Sequence, residues 1–256
     1  MSAVEVHAVV SGTADGPVVV LSNSLGSTHR MWDAQLPELE TRFRVVRYDT
    51  RGHGESPVPD GPYAIDDLAD DLVGLLDRLG VGRAHLVGLS LGGMTAMRMA
   101  SRHPARVERM VLLCTGTQLS PAQAWKERAA LVRSEGSAAV SSAVVQRWFT
   151  PAYLVAHPDI RTHYEQMVAA TPAEGYAGCC EAIAELDLRE DLAAISAPTL
   201  AVAGTEDPAT PVTKLSQIAA GIPGARLYLV PQAAHLANAE QPDLINRALI
   251  EHLEQS

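Results

Sequence analysis

Gly88-Leu89-Ser90-Leu91-Gly92 joins an apolar run that reads as a strand, Ala84 to Gly88, to a Met- and Ala-rich run that reads as a helix, Leu91 to Ser101. Few backbone paths carry a strand straight into a helix. Gly-x-Ser-x-Gly at such a joint predicts a sharp turn with the central Ser in a strained conformation, flanked by glycines because larger side chains would collide with the neighbouring chain. The flanking segments repeat the alternation. Pro17 to Ser22 and Arg44 to Tyr48 are short, Val-rich runs bounded by turn residues, and Val107 to Cys114 is another, as expected of strands buried on both faces. Between Asp66 and Leu79, Leu68, Leu72, Leu75, Leu76 and Leu79 recur at helical spacing, and the intervening acids read as a solvated face. Strand, helix, strand with short joints predicts right-handed crossovers and a mostly parallel sheet flanked by helices, an α/β fold.

The pattern changes after Thr117. From Ser120 to about Leu186 helix-forming stretches, Ala122 to Glu135 and Ala138 to Trp148, are interrupted by Pro151, Pro158 and Pro172. Strand character returns at Pro198 to Ala203 and Arg226 to Val230, and a terminal helix, Pro242 to Glu254, carries Leu244, Ile245, Leu249 and Leu253. The organisation expected is a core in two parts, 1–117 and 189–256, with a helical cap insertion at 118–188. A length of 256 residues suits one such domain.

Charge and cysteine usage narrow the function classes. Twenty Lys and Arg against 30 Asp and Glu give a net charge of −10, with no basic cluster, which disfavours nucleic acid as a partner. No apolar stretch approaches the roughly 20 residues that cross a bilayer, and the first ten residues lack the basic-then-apolar pattern of a secretory signal. Cys114 is isolated, and Cys179 and Cys180 are neighbours, an arrangement suited to a reducing cytoplasm rather than a disulfide framework. The spacing of the cysteines and nine histidines matches no metal motif, so no metal cluster is expected.

A serine hydroxyl is a weak nucleophile and needs a base and an orienting acid, in the order Ser, acid, His for this kind of turn. Asp207 follows the strand Pro198 to Ala203, and His235 follows Arg226 to Val230, so both emerge at the sheet edge where Ser90 stands. Glu206 competes with Asp207, but Pro208 restrains the backbone of Asp207 and favours it. None of His103, His157, His163 and His252 follows a core strand. Acyl transfer also asks for two oxyanion donors, read as the N–H of Leu91 after the nucleophile and that of Leu25 in Asn23-Ser24-Leu25-Gly26. The bland alternatives are a helix N-cap for Ser90 and a plain turn around Leu25.

The chain resembles the α/β-hydrolases over essentially its whole length. The resemblance rests on Asn23 to Gly26 with Trp32, Tyr48-Asp49-Thr50-Arg51-Gly52-His53-Gly54-Glu55-Ser56, Gly88 to Gly93, Gly204 to Pro208 and Ala234-His235-Leu236. Asn23-Ser24 stands where many members have His-Gly. There, at Arg147-Trp148-Phe149-Thr150-Pro151, at Thr171 to Tyr176 with Cys179 and Cys180, and at Ala209-Thr210-Pro211, the chain is similar to the 3-oxoadipate enol-lactonase branch. The resemblance implies hydrolysis of that enol-lactone in aromatic catabolism through an acyl-enzyme on Ser90, without a cofactor. Its small-molecule substrate carries a carboxylate. Arg147 is a candidate to meet it and Trp148 a pocket wall, against the alternatives of a solvated Arg and a core Trp. Arg51 reads instead as the internal ion pair of its own loop. Rival readings are a carboxylesterase, a cofactor-free perhydrolase or a carbon–carbon bond hydrolase on the same scaffold, and a binding protein without turnover.

Overall fold

The Val- and Leu-rich runs become strands β2 (Val18–Ser22), β3 (Arg44–Tyr48), β4 (Ala84–Leu89), β5 (Val107–Leu113), β6 (Thr199–Gly204) and β7 (Arg226–Val230) in a computed structural model describing residues 3–119 and 121–255. Met1 and Ser2, used in reading the start of the chain, and Ser120, at the start of the helical stretch, lie outside the described residues, as does Ser256. Side chains of a strand alternate between faces, and every position of β4 and β6 is buried, so both faces of the sheet are covered. Pairing is parallel throughout except at the first strand, β1 (Ala8–Gly12), which runs antiparallel to β3. The order is β1-β3-β2-β4-β5-β6-β7. β1 was not expected from the sequence: on an edge it buries none of its five residues fully, and its apolar run is only Ala8-Val9-Val10.

Helices α1 (Leu36–Leu39), α2 (Ile65–Arg78) and α3 (Leu91–Arg102) belong to the first half of the core, and α9 (Val212–Gly221), α10 (Ala237–Glu240) and α11 (Pro242–Leu253) to the second. Between β5 and β6 come α4 (Ala122–Glu135), α5 (Ala138–Trp148), α6 (Pro151–Ala156), α7 (Pro158–Ala169) and α8 (Ala173–Ala184), with no strand among the described residues there. Pro151 and Pro158 open helices rather than merely break them. At the first helical position the missing N–H costs nothing.

The acids of α2 are not simply a solvated face. Asp67 and Asp71 are buried, and Asp71 takes two hydrogen bonds from the fully buried Arg51, at 2.5 Å from Nε and 2.7 Å from Nη2. Arg51 therefore anchors its loop as expected, but through a partner on another element rather than within the Asp49 to Ser56 run. A bidentate pair satisfies both charges, which is what makes their burial tolerable. Asp66 and Asp70 pair with Arg98 and Arg102 of α3, so the acid pattern of α2 docks it onto the neighbouring helix.

Two buried histidines make stability depend on pH. Burial holds His85, packed edge-on against Phe43, and His53 near a pKa of about 4. Below 6.5 the unfolded chain takes up protons that the folded chain refuses. Stability contributed by these groups is complete above that pH, falls as pH drops from 6.5 to 4, and levels off below. The unfolding free energy from urea titration should decline across that window by up to an amount on the order of 3 kcal/mol per histidine. His85→Leu should flatten the slope, and a flat profile for the parent protein would contradict the burial argument.

Candidate active site

Ser90 occupies the single residue between β4 and α3 with φ 56° and ψ −115°, a left-handed conformation that side chains other than glycine rarely adopt. The turn is held from several sides. Ser90 N–H donates to the carbonyl of Leu113, and the Thr115 hydroxyl donates to the carbonyl of Ser90. A Cβ on Gly88 would overlap the carbonyl of Gly92, and one on Gly92 would overlap the carbonyl of Ser22 at the end of β2. The strain of Ser90 is thus imposed by tertiary contacts, and the spacing of its glycines has a steric cause. As the first residue outside the helix Ser90 makes no side-chain cap, so the N-cap alternative does not describe it.

Asp207 and His235 come together at the same rim. His235 Nδ1 lies 2.8 Å from Asp207 Oδ2, and both residues are buried. Oδ2 also accepts from the Thr210 hydroxyl at 2.6 Å, while Oδ1 accepts from the N–H groups of Ala209 and Thr210. Burial alone would push the Asp207 carboxyl up, but the His235 imidazole and these donors outweigh it and hold its pKa at about 2. Asp207 is therefore a carboxylate at any ordinary pH. Glu206 is exposed, and of the two acids it is Asp207 that hydrogen-bonds the imidazole. The Ser90 hydroxyl has no hydrogen bond to a described residue and opens with His235 into one cavity of about 420 Å³. Contacts between nucleophile and base are commonly loose before a substrate aligns them.

The N–H groups of Leu25 and Leu91 have no acceptor among the described residues, so each could donate to a bound group. The Leu25 loop is fixed by its neighbours. Gly26 N–H donates to Nε2 of His53, which keeps that ring neutral, and the Asn23 carbonyl accepts from Gly92 N–H at 2.9 Å. The Asn23 side chain donates to the Tyr48 carbonyl and accepts from the Trp32 indole. Asn23 thus ties the loop to both β3 and the Ser90 turn.

Helices α4, α5 and α8 roof the cavity. Arg147 and Trp148 both line it, and Trp148 also meets Tyr164 edge-to-face at 5.9 Å, so it serves as pocket wall and packing residue together. Sequence reasoning missed Trp125, Arg128 and Tyr176, which share the lining. The signal for the first two was their i, i+3 spacing, which places them on one face of α4. The Arg128 guanidinium stacks over Trp125 at 4.6 Å. Burial, and next the charge of Arg128, lower the pKa of Arg147. Neither arginine has a carboxylate partner among the described residues. Two half-buried cations that repel one another at the wall of one cavity are a charge arrangement that an anion completes.

Other chemistry-bearing residues stay outside this site. Cys114, Cys179 and Cys180 are buried, and burial raises each thiol, Cys180 to about 12, so they behave as small apolar side chains. His7, His29 and Asp49 place potential ligand atoms within 4.8 Å of one another. The Asp49 carboxylate there accepts N–H bonds from His29 and Glu55 and so anchors two loops.

A family model described as the alpha/beta hydrolase fold matches residues 17–242. The 3-oxoadipate enol-lactonase 2 of Acinetobacter baylyi is 40% identical over 238 residues, 93% of this chain and 89% of that enzyme. The crystal structure of the enol-lactonase from Burkholderia xenovorans LB400 superimposes with a TM-score of 0.95 at 39% identity, covering 98% of this chain and 96% of the other. A thermophilic esterase from Thermogutta terrifontis follows the same path with a TM-score of 0.92 at 32% identity, covering 98% and 93%.

Proposed function

The chain belongs to the alpha/beta-hydrolase family, and on that footing we propose that it opens the ring of 3-oxoadipate enol-lactone to give 3-oxoadipate. The observation that carries the reading is the pair of arginines, Arg128 and Arg147, left without a carboxylate inside the cavity that Ser90 and His235 share. Closing a lactone ring consumes one carboxyl group of a dicarboxylic acid and leaves the other charged, so the substrate brings the anion that the arginines lack.

His235 takes the proton of Ser90 as its oxygen attacks the lactone carbonyl. The oxyanion is received by the N–H groups of Leu25 and Leu91. Asp207 holds Nδ1 protonated, so that Nε2 faces the serine as an acceptor, and stabilises the imidazolium that forms. Collapse breaks the ring C–O bond. The leaving oxygen is an enolate, which departs more readily than an alkoxide, takes the proton from His235 and relaxes to the ketone. Water deprotonated by His235 then releases the acyl group from Ser90. These side chains and water move every proton, and no cofactor enters. Residues 118–188 act as a cap that supplies the specificity surface. The role fits the catabolism of aromatic compounds through protocatechuate or catechol. No described helix is long and apolar enough to cross a membrane, and we place the enzyme in the cytoplasm.

Similarity to the Thermogutta esterase supports a second reading, hydrolysis of simple carboxylic esters by the same three residues. Steady-state kinetics separates them. Arg128→Ala and Arg147→Ala should each raise KM for the enol-lactone by about tenfold to a hundredfold, the usual loss for a charge-assisted hydrogen bond, and leave KM for a neutral aryl ester near the parent value. Equal effects on both substrates would remove the carboxylate from the account.

A further inference from the structure

Glu240, at the end of α10, is buried yet faces no cation among the described residues. Its carboxylate accepts three donors instead. Oε2 takes the N–H of Ala234 at 2.8 Å, and Oε1 takes both the N–H of Thr150, at 3.0 Å, and the Thr150 hydroxyl. Ala234 directly precedes His235. Thr150 follows Arg147 and Trp148 by two or three residues, between α5 and α6. A second link runs alongside, from Leu236 N–H to the Trp148 carbonyl at 2.8 Å, and a third from the Tyr153 hydroxyl to the Ala239 carbonyl. The segment that carries the imidazole is thus tied to the segment that carries the cavity's Arg147 and Trp148, and Glu240 is the one charged member of the seam.

From this geometry we infer that Glu240 is a positioning residue: it registers the His235 loop against the Arg147–Thr150 edge of the cap, so that the imidazole and the substrate-facing guanidinium are set by one carboxylate. The inference rests on the hydrolase reading of Ser90, Asp207 and His235. Donors meet both oxygens of the Glu240 side chain. A glutamine there has one acceptor. With its oxygen toward Thr150 its amide confronts the N–H of Ala234, and turned over it confronts the N–H of Thr150, so one side of the seam must open.

The test compares Glu240→Gln, Thr150→Val and Thr150→Ser with the parent protein on the enol-lactone and on p-nitrophenyl acetate, with kcat, KM, pH–rate profiles and unfolding temperatures measured for each. Glu240→Gln should lower kcat about tenfold or more on both substrates, because both use His235, and displace the acidic limb of the pH–rate profile. It should raise KM for the enol-lactone alone, because only that substrate engages Arg147. Thr150→Val should reproduce part of these losses and Thr150→Ser should restore them. If Glu240→Gln or Thr150→Val lowers the unfolding temperature while kcat, KM and pH profile stay at parent values, Glu240 is a structural residue and the inference is overturned. Should Glu240→Gln fail to fold, the Thr150 pair decides: parent-like kinetics in Thr150→Val overturn the inference, and a loss that Thr150→Ser restores upholds it. A parent protein that hydrolyses the ester but not the enol-lactone would sink the substrate reading, while the ester kinetics would still decide the role of Glu240.

Discussion

Ser90→Ala should lose turnover of the enol-lactone by about 10⁵-fold or more while its unfolding temperature stays close to that of the parent. The two halves of that result have different causes. Activity falls because no other hydroxyl stands on the Ser90 turn, and the proposed oxyanion donors, the N–H groups of Leu25 and Leu91, have no tetrahedral adduct to stabilise without it. Stability persists because the Ser90 side chain makes no hydrogen bond to a described residue, and the backbone bonds that impose φ 56° belong to its N–H and carbonyl, which alanine keeps. Substantial residual turnover, free of parent contamination, would remove Ser90 from the mechanism.

Asp207→Asn should lower kcat by about 10⁴-fold with little change in KM. The direction follows from the four donors around the carboxylate. Oδ1 accepts two backbone N–H groups that cannot turn away, so the asparagine oxygen is compelled to occupy that side. Its amide then points at Nδ1 of His235 from the Oδ2 position and donates to it. The ring proton is displaced to Nε2, where it faces Ser90 as a donor and cannot receive the hydroxyl proton. Glu206 should not rescue the variant, since it is exposed and makes no hydrogen bond to the imidazole. A kcat within tenfold of the parent would mean that another group orients the ring. In the parent, a carboxyl with a pKa of about 2 remains charged throughout the working range, so any activity loss between pH 4 and 7 belongs to a group other than Asp207.

The sequence exposed those parts of the site that depend on backbone path. Ser90 and Asp207 follow the buried strands β4 and β6, His235 follows the edge strand β7, and a parallel sheet brings the ends of its strands to one edge whatever lies between them. Strands β2 to β7 and helices α4 and α5 were legible for the same reason, since periodicity and prolines mark local structure directly. What escaped depends on contacts between distant segments. β1 is a half-exposed edge strand defined by its partner β3, and α9 lies beyond the Asp207 loop without a pattern of its own strong enough to be read. Asp67 and Asp71 looked like part of a solvated acid stripe until Arg51, 20 residues from Asp71, was placed against them. Arg128 and Glu240 are ordinary charged helix residues in the sequence. Their roles arise only when α4 is laid over the cavity and α10 beside Thr150.

The pairing of a serine nucleophile with two arginines that have no carboxylate partner among the described residues predicts a substrate with a cleavable acyl group at one end and a negative charge at the other. Measuring kcat/KM for the enol-lactone and for the same lactone with its free carboxylate capped as a methyl ester isolates that charge while leaving the reacting ring unchanged. A preference of about a hundredfold or more for the charged lactone, abolished in the Arg128→Ala, Arg147→Ala double variant, is the expected result. Equal kcat/KM for the two lactones, or no turnover of the charged one by a protein that still cleaves aryl esters, would contradict it.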